Sequence, residues 1–282
     1  MPGMETEEYR QQSLETWEAM ASGWERRAEE IDEVGVPVLE WLIAALAPTQ
    51  GDVVLELAAG PGSTGLAASP LVGEGGRVIS TDFSPAMLEV ARRRADALGV
   101  TNVEHLVMDA GALELEDDSV DGVICRWGYM LMPDPVAAFA ETRRVLRPGG
   151  RLAFAVWRGP ELNPWVSIAG RMLVERGLFP PPEPGAPGMF SLGDDGRLRE
   201  IVEGAGFSIE RIENVEAHFR YDDLDDYIVT ARDTGGQFAK AWDSASDEQR
   251  AAMTAELEER FQPFRMQDGY AMTGVAACVL AS

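Results

Sequence analysis

Four carboxylates stand where apolar runs of this chain stop or start: Glu56, Asp82, Asp109 and Asp121. Glu56 follows Val53-Val54-Leu55 and leads into a turn that holds Ala58, Gly60, Gly62 and Gly65. Glycine lets the backbone turn sharply and lets a ligand come close to it. Asp82 lies 20 residues beyond Gly62, the interval at which a carboxylate after a glycine turn holds a ribose. Its two oxygens can accept both hydroxyl protons of such a diol. The residue types predict a nucleoside or phosphate site, and they leave open a dinucleotide, a phosphate or another nucleoside such as S-adenosylmethionine.

Those carboxylates do their work only if strands and turns bring them to one edge. A strand over 53–58 is followed by a helix over 63–71, and a second strand ends at Asp82. "DFSPAMLEVARRRADALG" opens a helix with Ser84 as N-cap, Pro85 at its first position and Gly99 as its stop. "VEHLVMDA" gives a third strand ending at Asp109, residues 120–126 a fourth and "RLAFAVW" a fifth, after a helix over 134–147. This β-α alternation predicts an open, doubly wound parallel sheet that binds ligands beyond its carboxyl strand ends.

Around this core the pattern changes. Residues 7–31 put Leu14, Trp17, Met20, Ala21 and Trp24 on one helical stripe, and a second helix is predicted from Val36 to Ala47 with Pro37 in its first turn. After Trp157, residues 158–190 are rich in proline, glycine and aromatics, with a helical piece around 164–176. A helix in "SLGDDGRLREIVEGAGF", a strand near 213–221, charged helices over 222–263 and a last strand over 270–280 complete the chain.

Gly60, Gly62 and Gly65 formally spell G-x-G-x-x-G, which would admit an NAD-dependent oxidoreductase. Against that stand Glu56 ahead of the turn, the repeated acidic ending at Asp109-Ala110, and the Arg-Pro-Gly-Gly turn before the fifth strand. The ordered set "ELAAGPG", "TDFSPAML", "MDA" and "RVLRPGGRL" resembles class I S-adenosylmethionine-dependent methyltransferases, in particular the branch of ubiquinone and menaquinone biosynthesis. The resemblance covers about residues 50–157 and departs from the family in Ala58, where a glycine is common.

The resemblance implies a Rossmann-like α/β fold with seven strands, mostly parallel, the last antiparallel. It implies an N-terminal helical lid over 1–48, a cofactor-binding core over 49–157, a substrate cap over 158–190, and a C-terminal part over 191–282 with a helical insertion. S-adenosyl-L-methionine would be held by Ala58, Gly60 and Gly62 through backbone and by Asp82 at the ribose, while Glu56 would order the glycine turn and the methionine ammonium or serve only as a buried loop anchor. Phe83 and Met87 would pack on adenine, Asp109 and Ala110 would bond its edge, Arg126 would line the methionine end or the substrate side, and the lid residue Trp24 would complete the site. Trp165 and Tyr129 are expected to touch the substrate.

The implied reaction is in-line transfer of a methyl group to a small apolar or aromatic metabolite. The alternative is a cofactor-binding enzyme of the same fold that catalyses a non-methylating step such as cyclisation or decarboxylation. No residue is assigned to catalysis beyond His218, a candidate base on the expected sixth strand.

Composition narrows the partners. The net charge of −24 disfavours nonspecific contact with nucleic acid or an anionic membrane. Cys125 and Cys278 stand alone in sequence, which indicates neither a disulfide framework nor a metal site. The acidic start and the absence of a ~20-residue apolar run predict a cytoplasmic protein without a signal peptide or membrane span. A homodimer is compatible with these features.

Overall fold

The computed structural model describes residues 2–183 and 185–282, with side chains from residue 7 onward; Met1 and Pro184, which fall in the expected lid and cap, lie outside them. Helices α1 (Pro2–Arg26) and α2 (Ala28–Leu46) lead into β1 (Val53–Glu56), α3 (Ser63–Val72), β2 (Arg77–Asp82), α4 (Pro85–Ala97), β3 (Val103–Val107) and β4 (Val120–Arg126). Then follow α5 (Pro135–Val145), β5 (Leu146–Trp157), α6 (Pro164–Glu175), α7 (Asp195–Gly204) and β6 (Ile209–Tyr221). The chain closes with α8 (Leu224–Thr234), α9 (Gly236–Ser244), α10 (Asp247–Phe261) and β7 (Tyr270–Ala281).

The seven strands form one sheet in the order β3-β2-β1-β4-β5-β7-β6. Neighbours among β1 to β5 are parallel, whereas β7 runs antiparallel to both β5 and β6. The expected sheet, with its antiparallel last strand, is therefore present. Val54 and Leu55 on β1 are buried because helices cover both faces, which suits an unbroken apolar run. The strand order reverses between β1 and β4, and the crevice beyond their carboxyl ends is the natural ligand site of such a sheet.

Two local expectations are corrected. Pro37 lies inside α2, which begins at Ala28 rather than Val36. The missing Pro37 N–H costs one helical bond, and the burial of Val38, Leu42, Ala45 and Leu46 against the sheet carries the helix past it. Helix α5 stops at Val145, because Leu146 already pairs with Val120 as the first residue of β5.

A second apolar cluster lies beside the sheet. Met172 and Leu173 of α6 pack with Tyr227 of α8, Phe238 of α9, and Met253, Leu257 and Phe261 of α10. Residues of the expected cap and of the helical insertion thus share one core. Among the described residues no helix is long and apolar enough to cross a membrane.

Candidate functional site

Glu56 ends β1 and is 1% exposed. Its Oε1 accepts from the Gly65 N–H at 2.7 Å and its Oε2 from the Ser80 hydroxyl at 2.6 Å. Burial pushes its carboxyl up to about 7, against the opposing pull of Ser80, Gly65 and the Arg126 guanidinium. The side chain thus ties the glycine turn and α3 to β2. These bonds show Glu56 ordering the glycine turn as a buried anchor.

A carboxyl raised from 4.5 to about 7 favours protons in the folded state, so its contribution to stability is full below about 4.5 and is lost as pH rises through 7. Glutamine can accept from Gly65 with its oxygen and donate to Ser80 with its amide. The thermal stability of Glu56→Gln should therefore gain on the wild type between about pH 4.5 and 7, by on the order of 2–3 kcal/mol. Parallel melting curves of the two proteins across that range would contradict the assignment.

Asp82 ends β2 and is 6% exposed. Its Oδ2 accepts from Gly60 N–H and its Oδ1 from Ser84 N–H, each at 2.9 Å. Burial pushes it up to about 6, and these backbone donors offset part of that cost. Gly60 has φ 53°, and a Cβ placed there would meet nothing within 4 Å, so the turn opens to free space beside Asp82. Such a cradle, with a carboxylate retaining lone pairs, fits a ribose diol. Ala58, at φ 50°, holds a left-handed conformation that favours glycine.

Helix α1 crosses these strand ends. Its Glu18 Oε1 accepts from the Ser84 hydroxyl at 2.6 Å and from Ala86 N–H at 3.0 Å. Its Arg10 pairs with Asp109 at 2.6 Å, and Tyr9 donates to the Leu131 carbonyl at 3.4 Å. The loops after β2, β3 and β4 therefore all carry contacts to one helix. Phe83 and Ala110 are half-buried beside them, and Asp109 also accepts from Gly111 N–H at 2.8 Å.

Four expected site residues sit elsewhere. Met87 is fully buried beneath α1 with Met20 and Val90, so in this arrangement it presents no face to a ligand. Trp24 gives its indole N–H to the Thr234 carbonyl of α8 at 3.3 Å. His218 is 61% exposed on the outer strand β6, beside Glu216 at 3.9 Å, which corrects its place next to a substrate.

Tyr129 is fully buried, with its ring 3.9 Å from Phe139 and its hydroxyl 2.7 Å from Thr142 Oγ1, so it is a core residue and not a substrate contact. Tyr129→Phe should cost about 1 kcal/mol of stability, since Thr142 keeps its bond to the Ala138 carbonyl. Cofactor affinity should be unchanged in calorimetry; a marked loss would return Tyr129 to the site.

Trp165 stacks on Phe219 with ring centroids 4.1 Å apart and meets Trp157 edge-on at 5.3 Å. Trp157 in turn stacks on Trp127 at 4.5 Å. Trp127 follows β4 at φ 63°, rare for a bulky residue, and its indole nitrogen is buried without a protein partner. Asp32, Arg94 and Trp127 were not anticipated. Arg94 donates to the Pro61 carbonyl and the Ser63 hydroxyl, both at 2.9 Å, and pairs with Asp32.

A cleft of about 420 Å³ between Ala47–Asp52 and Arg147–Arg151 lies at the other end of β1 and β4. There Asp121 is spent on Val53 N–H at 2.8 Å and on Arg147. Those partners make it a structural clasp. Among the described residues no group of three or more His, Cys, Asp or Glu is arranged to hold a metal ion.

A family model described as a methyltransferase domain matches residues 54–150. A demethylmenaquinone methyltransferase of Clavibacter sepedonicus is 39% identical over 123 residues, which are 43% of this chain and 48% of the relative. The chain spans about half the length of the curated relatives it matches. A crystal structure of a methyltransferase candidate from Bacillus halodurans aligns at TM-score 0.61 and 22% identity, over 86% of this chain and 97% of that one. The cyclase SpnF aligns at TM-score 0.53 and 18% identity, over 86% of this chain and 78% of its own. These two share the fold with the chain, and the methyltransferase-domain model matches the stretch, residues 54–150, in which the ordered motifs fall.

Proposed function

We propose that this chain is an S-adenosylmethionine-dependent methyltransferase acting on a small apolar or aromatic metabolite. The observation that carries the reading is Asp82, buried at the end of β2, held by Gly60 and Ser84, and facing the open side of the glycine turn. The cofactor supplies a methyl group already activated on a sulfonium. What the chain must do is hold the nucleoside, align the acceptor and exclude water. Asp82, Gly60 and Gly62 take the ribose side, and Asp109, Ala110 and Phe83 the adenine side.

Exclusion of water falls to α1, the lid, which the Arg10–Asp109 and Glu18–Ser84 contacts hold across the strand ends. The aromatic run Trp127–Trp157–Trp165–Phe219 begins just past β4 and supports an apolar or aromatic acceptor. The unpartnered Trp127 N–H offers that acceptor's oxygen a hydrogen bond. The demethylmenaquinone methyltransferase among the relatives agrees with this acceptor class. A protein base is not required where the acceptor ionises readily, and no residue is assigned one. Buried, unpaired Cys125 and Cys278 accord with a reducing compartment such as the cytoplasm.

A metabolite screen read out by S-adenosylhomocysteine formation tests the proposal. Stoichiometric S-adenosylhomocysteine with one acceptor class is the expected result. Turnover of an acceptor without it would favour a cyclisation or decarboxylation instead. Failure to bind S-adenosylmethionine would overturn both readings.

A further inference from the structure

Helices α1 and α2 meet at an elbow of one residue, Arg27. Beyond it α2 is fixed. Val38, Leu42, Ala45 and Leu46 are buried against the sheet, and Asp32 faces Arg126 of β4 at 3.6 Å. Helix α1 has less apolar footing: among its described apolar side chains only Met20 and Ala21 are buried. Polar contacts therefore decide where it lies.

The elbow is gripped by the end of α8, away from the glycine turn. Asp233 is 15% exposed there, with Arg26 Nη2 at 2.5 Å from its Oδ1 and Arg27 Nε at 3.2 Å from its Oδ2. A carboxylate in the last turn of a helix meets the negative end of the helix dipole. The two arginines offset that cost. Gly23 brings the backbones together, since a Cβ there would stand 2.9 Å from Asp233 Cα and nearer still to its carbonyl. Trp24 adds its bond to Thr234 O. Helix α8 is itself anchored, because Tyr227 and Ile228 are buried in the second apolar cluster, with Tyr227 4.5 Å from the Phe261 ring.

We infer that Asp233 is a positioning residue for the lid, acting through Arg26 and Arg27 to hold α1 across the strand ends. The inference rests on the methyltransferase reading, which makes α1 a lid, and adds to it a clamp in the helical insertion. Arg10 and Glu18 reach the strand-end loops from α1. A clamp at the far end of the helix sets how often those contacts break together. Once Asp233 lets go, the one-residue elbow is free to act as a hinge. Opening costs two charge-assisted bonds, so the clamp governs ligand release without touching the ligand.

Hydrogen exchange of the full chain and the release rate of S-adenosylhomocysteine test this together. Asp233→Asn keeps the shape and removes the charge. Exchange across residues 7–26 should quicken roughly tenfold without ligand, while β1 and β4 keep wild-type protection. Release of S-adenosylhomocysteine should quicken by a similar factor, and Asp233→Glu should restore much of the difference. Arg232→Gln, one residue earlier in α8 and paired with Asp243 at the surface, should change neither. Arg26→Gln removes half of the clamp at an exposed side chain and serves if Asp233→Asn does not fold; it should quicken both rates by a smaller factor. A lower melting temperature with α1 exchange and release unchanged would reduce Asp233 to a structural contact and overturn the inference. Protection lost equally over α1 and the sheet would overturn it too. A wild type that does not bind S-adenosylhomocysteine would instead overturn the methyltransferase reading, and exchange across α1 would then decide the clamp alone.

Discussion

Asp82→Ala should leave a folded protein that binds S-adenosylhomocysteine at least roughly a hundredfold more weakly than the wild type. Two hydroxyl donors to a carboxylate contribute about 1.5–3 kcal/mol each, so losing both costs about 3–6 kcal/mol. The same side chain holds Gly60 N–H and Ser84 N–H, and its removal also loosens the turn that faces the ligand. The wild-type affinity should carry a pH signature of its own. Donation by ribose hydroxyls favours the ionised form, and burial has raised Asp82 to about 6; affinity should therefore rise as pH climbs through that value. Asp82→Ala should lose this rise along with the affinity. A folded Asp82→Ala protein with wild-type affinity would defeat the ribose assignment.

What the sequence made legible follows from how local each signal is. An acid at the end of an apolar run followed by glycines is read directly from neighbours, so Glu56 and Asp82 stand at the strand ends as expected. Ser84 was likewise readable as an N-cap, and its side chain accepts from Met87 N–H at 3.2 Å. Tyr129 was not readable, because its burial depends on Phe139 and Phe154, whose rings lie 3.9 and 5.4 Å away from elements further along the chain. His218 alternates with apolar neighbours as a half-buried strand residue should. Which face is open depends on β6 being the last strand of the sheet. Asp32 and Arg94 look like the solvated faces of two amphipathic helices, and only the tertiary fold makes them neighbours. Long-range pairing of charges is the information that periodicity does not contain.

Gly65→Ala should destabilise the fold more than its single methyl suggests. Gly65 lies in the first turn of α3, and a Cβ there would stand 3.1 Å from Glu56 Cδ, closer still to Oε2, and 3.3 Å from Val78 Cγ1. Val78 is fully buried in the sheet and cannot retreat. Glu56 must then move, and moving it breaks its bonds to Gly65 N–H and Ser80 Oγ at a site buried from solvent. Overpacking costs about 1–3 kcal/mol, and a buried carboxyl stripped of donors adds a similar or larger amount, for about 3–6 kcal/mol together. In a chain of this size the melting temperature should fall by roughly 10 °C or more. Affinity for S-adenosylhomocysteine should fall with it, since the shifted turn carries Gly60 away from Asp82. Glu56→Asp supplies the control, because a shorter side chain vacates the space that the new methyl needs. In the double variant the two changes should cost less together than their separate costs summed. Additive losses, or a Gly65→Ala protein as stable as the wild type, would show that Glu56 does not fix the turn through Gly65.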